Sequence, residues 1–154
     1  MSRRMKKAAV VLVAVFAAAQ LVRPERANPP TNVSRTIQAQ IGTASGLAAV
    51  LDRACSDCHS NSTVWPWYAQ IAPVSWAMAY GVKEGRKAVN FSEWAMYPSE
   101  VQRALLVASC QDAKNGKMPG SYTLLHPEMR LSEQDVETIC AATRLGDAVV
   151  DAGR

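Results

Sequence analysis

Cys55-Ser56-Asp57-Cys58-His59 decides how the rest of this 154-residue chain is read. Cysteines at i and i+3 share one face of a helical turn, and a histidine follows at once. This is the attachment signature of a c-type haem. Each thiol adds across one vinyl group of the macrocycle, and the adjacent histidine reaches the iron. One haem c is therefore expected, held covalently through Cys55 and Cys58, with His59 as the first iron ligand. Two other uses of paired cysteines fit less well. A thioredoxin-type pair belongs at a strand-to-helix junction in a βαβ unit, and no run here alternates apolar and polar residues long enough to make a strand. Structural zinc takes four ligands in compact pairs, whereas the next cysteine is the distant Cys110.

Downstream, residues 59–76 carry Trp65, Trp67, Tyr68 and Trp76, although aromatics make up only 6% of the chain. Rings offer large rigid area at low entropic cost, so these four are expected to contribute to a wall around the ring, with Tyr122 from a later loop. Plain core packing is the alternative for any one of them. In 85–94, Arg86 and Asn90 are candidate partners for haem propionates, since guanidinium pairs well with carboxylate. Lys87 reads as part of a solvated turn. For the second iron ligand, Met118 leads, because a Met-Pro step about sixty residues after the motif presents a soft thioether that favours reduced iron. His126, the only other histidine, is the rival.

The chain between these points reads as helices. Ser45 caps a helix with Leu47, Val50, Leu51 and Ala54 at helical spacing, delivering the cysteines at its end. Pro73 suits the first turn of a helix running to about residue 83 or 85. Ser99 is expected to cap a third through about Asn115, with Gln102 completing a capping box and Gly116 at C′. On that helix Val101, Ala104, Leu105 and Ala108 form one stripe. Ser132 opens the last helix, whose apolar face holds Val136, Ile139, Cys140 and Thr143. Cys110 points nearly opposite its stripe, so a second segment must cover it if it is to meet Cys140. A disulfide and two separately buried thiols are both open.

Upstream, the basic residues Arg3, Arg4, Lys6 and Lys7 precede an uncharged run from Ala8 to Val22. That layout suits a secretory signal with a small-residue cleavage site at Ala17–Ala19, or an uncleaved anchor. Fifteen residues span roughly 22 Å, short of the roughly 30 Å hydrocarbon core, although flanking Lys and Arg can snorkel. A buried N-terminal core helix is the lesser alternative. The net charge of +4 lies in this leader; beyond it thirteen Lys and Arg face thirteen Asp and Glu. No basic patch remains for nucleic acid. Residues 1–22 thus read as signal or anchor, 23–44 as a Pro-rich spacer, 45–146 as a single haem-wrapping all-α domain of four or five short helices, and 147–154 as a tail.

The segments CSDCHSNSTVWPWYAQIAPVSW, VKEGRKAVNFSEW and GKMPGSYTLLHPEMRLS resemble the haem-binding domain family of small bacterial c-type cytochromes over roughly residues 46–142. The resemblance implies an all-α, cytochrome c-like fold, one covalent haem, and a place outside the cytoplasmic membrane. Met129 departs from it, standing where the family usually has a small residue, and adds a further side chain near the second iron face. With two protein ligands on the iron, one-electron exchange with a redox partner protein is the expected function. With a weak or absent second ligand, a haem-based sensor or an accessory domain of a peroxidase-type system is expected instead. No paired carboxylates or Ser/His arrangement point to other catalysis. The expected location is the periplasmic side of the cytoplasmic membrane, anchored by the leader or soluble after its cleavage.

Overall fold

The computed structural model describes residues 2–42 and 45–152, with side chains described as far as Arg144. The end of the expected spacer at 43–44 and the last two residues of the expected tail lie outside these. Among the described residues there are helices and loops and no strand. The α-helices are α1 (Arg3–Ala19), α2 (Ile37–Ile41), α3 (Gly46–Ala54), α4 (Ser56–His59), α5 (Val74–Ala88), α6 (Ser99–Lys114) and α7 (Glu133–Ala152). Short 3-10 turns fill the connections, among them Trp67–Gln70, Phe91–Met96 and Gly120–Leu124.

Local signals place most helix ends. The Ser45 hydroxyl accepts the Ala48 N–H and starts α3, whose Leu47, Val50, Leu51 and Ala54 are all buried. Ser132 and Asp135 bond reciprocally at the start of α7, a capping box with a carboxylate at its third position. Gly116 has φ +64°, a region glycine enters without steric penalty. Its N–H reaches Ala113 O while the Lys117 N–H reaches Asp112 O, a Schellman close to α6.

Three helix expectations are corrected. α5 runs on through Arg86 and Lys87, which had read as a turn. Gln102 forms no capping box: α6 is capped by Pro98, whose nitrogen carries no hydrogen for a reciprocal bond, and the Gln102 amide donates to Trp94 O and Tyr97 O. The helix also uses two faces where one stripe was expected. Cys110 is buried and bridged to α7, whereas Leu105 and Ala108 line a cleft.

α6 and α7 pack along one another, and Cys110 and Cys140 are joined by a disulfide between them. α7 is the segment that covers Cys110. The core gathers Leu51, Phe91, Trp94, Ala113 and Ile139 around this pair. It also takes in Ile37 of α2, which is wholly buried, a contribution of about 2–3 kcal/mol for a side chain of this size. Packing therefore begins upstream of Ser45.

Residues 23–30 carry no regular secondary structure, yet they are not a free spacer. Arg26 donates to Ala69 O, Asn28 to Thr63 O, and the Pro30 carbonyl accepts from Asn61. Just ahead, the Gln20 amide pairs twice with the Ala72 backbone. Side chains bonding backbone carbonyls convert this polar segment into a strap laid along the domain.

Candidate functional site

The end of α3 and the single turn of α4 place Cys55, Cys58 and His59 on the wall of a cleft of about 230 Å³, open on one side. Opposite structure comes from α6, through Leu105, Ala108, Ser109 and Asp112, and from the loop after it, through Lys117, Met118 and Tyr122. Phe91 and Met129 complete a mainly apolar lining. The Schellman close at Gly116 turns the chain back, so Met118 reaches the cleft.

α4 sits tightly on α5. A Cβ at Gly85 would lie 2.5 Å from the Cys58 carbonyl oxygen, so only glycine allows this approach. Next to that contact, His59 Nδ1 lies 3.3 Å from the Val89 carbonyl. A ring nitrogen held by a backbone carbonyl fixes the imidazole's orientation and leaves Nε2 as its available donor atom. Burial lowers the His59 pKa, with the Val89 and Gly85 carbonyls opposing it. Such an imidazole is neutral at ordinary pH, the form that ligates metal.

The thiols of Cys55 and Cys58 are not joined to one another. Burial, reinforced by Cys58, pushes Cys55 up to about 11; burial and Asp57 raise Cys58. Both stay protonated near neutrality, the opposite of the lowered values of thiol-disulfide catalysts.

The model of the haem-binding domain matches residues 14–144. The chain belongs to the haem-binding domain family. Comparison with curated proteins and with solved structures finds no match.

The cleft's donor set fits what a haem-binding domain must hold. An imidazole, a thioether and two free thiols converge on an apolar cleft, and its open side would leave one edge of a flat group toward solvent. Of the residues expected at the site, Cys55, Cys58, His59, Met118 and Tyr122 line it.

The others are placed elsewhere. His126 is not on the wall: its Nε2 bonds the Tyr68 hydroxyl, its Nδ1 the Glu128 carboxylate at 2.7 Å, and its ring stacks on Tyr122. Both nitrogens are in use, so His126 and Tyr68 brace Tyr122 from behind. Burial, then the Tyr68 hydroxyl, raises the Tyr122 pKa well above the phenol range. Arg86 is committed to Ser60 O, Ala27 O, Asn28 and Thr63, tying the strap to the loop that follows His59. Asn90 is buried against Asn61 and caps the Phe91 turn. Trp65, Trp67 and Trp76 are absent from the cleft wall; Trp67 is 76% exposed, and Trp76 bonds the Val22 carbonyl.

Phe91, Leu105 and Ala108 are wall residues that the sequence reading does not single out as such, and Met129, expected near the second iron face, also lines the cleft. The Leu105–Ala108 stripe was visible in the sequence, but helical period gives a face without saying what faces it.

Proposed function

We propose that this haem-binding domain is a c-type cytochrome that exchanges single electrons outside the cytoplasmic membrane. Cys55 and Cys58 would hold one haem through thioethers, His59 Nε2 would ligate one iron face and the Met118 sulfur the other. Bound haem supplies a one-electron iron couple; the chain's own residues set its surroundings. The observation that carries the reading is the presence of His59 and Met118 on one apolar cleft while both nitrogens of His126 are engaged elsewhere. With His59 and Met118 both holding the iron, the group would supply electron exchange in preference to binding of small ligands.

The raised thiol pKa values support the covalent role over a catalytic dithiol. Apolar Leu105, Ala108 and Phe91 would keep water from the ring once it fills the cleft, and Tyr122 is braced there by Tyr68 and His126. We further read α1 as retained, holding the domain at the membrane; its apolar side chains, none of them buried in the domain, support this. A carrier of this kind needs a redox partner protein.

The test is an optical spectrum of the haem-loaded protein with and without carbon monoxide. The expected result is a weak long-wavelength band in the oxidised form and slow or absent CO binding when reduced. Met118→Ala should abolish the band and admit CO. Rapid CO binding by the unaltered protein would instead favour the sensor or peroxidase-accessory reading.

A further inference from the structure

The apolar helix α1 leaves Val10, Val11, Leu12, Val13, Val15 and Phe16 exposed, and no described helix is long and apolar enough to cross a membrane. Seventeen residues give roughly 25 Å of helix, against a roughly 30 Å hydrocarbon core. A helix that short is accommodated by local thinning of the bilayer, which brings the headgroup layer up to the structure at its end, or by snorkelling of its flanking residues. What flanks α1 at its C-terminal end is a particular surface of the folded domain.

Gln20 bonds the Ala72 N–H at 2.9 Å and the Ala72 carbonyl at 3.3 Å, and the Trp76 indole donates to Val22 O at 2.8 Å. These bonds seat the exit of α1 on the start of α5. Around the junction the apolar side chains point to solvent: Leu21 is 83% exposed, and Val22, Ile71, Trp76 and Tyr80 are exposed with it. Trp76 and Tyr80 are four residues apart, hence on one face of α5, and Lys83 follows on the same side. Aromatic rings with an apolar body and a polar edge, backed by a lysine, are the side chains that favour the headgroup layer of a bilayer.

We propose that Leu21, Val22, Ile71, Trp76 and Tyr80 form a ledge that sits in the interfacial layer of the lipid bilayer entered by α1, so that the domain lies on the membrane instead of hanging from a flexible tether. The occupant is lipid because the ledge is covalently continuous with α1 and hydrogen-bonded to its end. The inference rests on the reading of α1 as a retained membrane helix. It adds that the cleft is presented to partners in one fixed orientation.

The test uses the full-length haem-loaded protein in phosphatidylcholine–phosphatidylglycerol vesicles carrying a diazirine phospholipid. Illumination and mass spectrometry map the adducts. Expected are adducts within α1 and also within 21–23 and 71–80, with Leu124 unlabelled although it is 77% exposed against 38% for Trp76. Trp76→Ser with Tyr80→Ser should lower the yield on 71–80 at least three-fold while leaving α1 labelling unchanged. Adducts confined to α1 would overturn the ledge and leave the anchor reading standing. Absence of adducts from α1 would overturn both. Equal labelling of Leu124 would show that exposure alone governs the reaction, and would overturn the ledge. Concentration-dependent dimerisation without lipid that shields 71–80 would assign the surface to a second copy and refute it too.

Discussion

Replacing Gly85 by alanine tests whether the close approach of α5 to α4 sets the geometry of the turn that carries Cys58 and His59. The added methyl would begin 2.5 Å from the Cys58 carbonyl oxygen and 3.0 Å from its carbon, while ordinary contact starts near 3.4 Å. Backbone must therefore retreat by most of an ångström, and it is the backbone that carries Cys58 and His59. Overpacking of this kind costs up to about 3 kcal/mol, and the helix-propensity gain of alanine returns only about 1 kcal/mol. The net expectation is a loss of about 2 kcal/mol, or a Tm lower by roughly 4–8 °C for a domain of this size. Gly81, on the same helix, has nothing within 4 Å of its Cβ position. Gly81→Ala should accordingly stabilise the protein by about 0.5–1 kcal/mol. Denaturation of both haem-loaded variants, followed by helical circular dichroism, gives the comparison. In Gly85→Ala the His59–Val89 contact should also loosen, broadening the electron paramagnetic resonance of the oxidised form. Equal stability of the two variants would refute the reasoning.

Three further outcomes are expected. Cys110→Ala with Cys140→Ala removes a bridge across a sequence separation of 30, and loop-closure entropy puts the loss at about 3–4 kcal/mol in chemical denaturation. His126→Gln should leave the long-wavelength band in place, since both ring nitrogens bond protein groups; loss of the band would reinstate it as ligand. The Asp135 carboxyl is held below the usual 3.8 by the Ser132 N–H and hydroxyl and by Arg53. A lowered folded pKa gives stability that is present above the unfolded value and lost as pH falls through the folded one. Asp135→Asn should thus be less stable at pH 7 by about 1 kcal/mol, as for other lost caps, with the gap closing below pH 3.8 in acid melts.

Much of this architecture was legible because it rests on local chemistry. Ser45, Ser132 and Gly116 mark helix ends through bonds and backbone angles that involve near neighbours only. That Cys55, Cys58, His59 and Met118 share one cleft was likewise anticipated from residue type and spacing. The failures share one cause, which is partners distant in sequence. Arg86 had the right chemistry for a propionate, yet Ala27, Asn28, Ser60 and Thr63 claim its donors. His126 had the right atoms for iron, and Tyr68 and Glu128 hold them. The tryptophans were counted as walls from their density near the motif, but α5 carries Trp76 away toward Val22. Composition of a stretch says nothing about which way its rings turn.

The bridge between α6 and α7 bears on how the protein is assembled. Four cysteines allow six single bridges, and all but one of these would engage a thiol that the proposed haem attachment needs. Pairing Cys110 with Cys140 is the one arrangement that leaves Cys55 and Cys58 both reduced and available. Helix packing thus works as a sorting step. By burying Cys110 beside its partner, it withdraws the two surplus thiols from competition, so the attachment proposed above would follow the docking of α6 on α7.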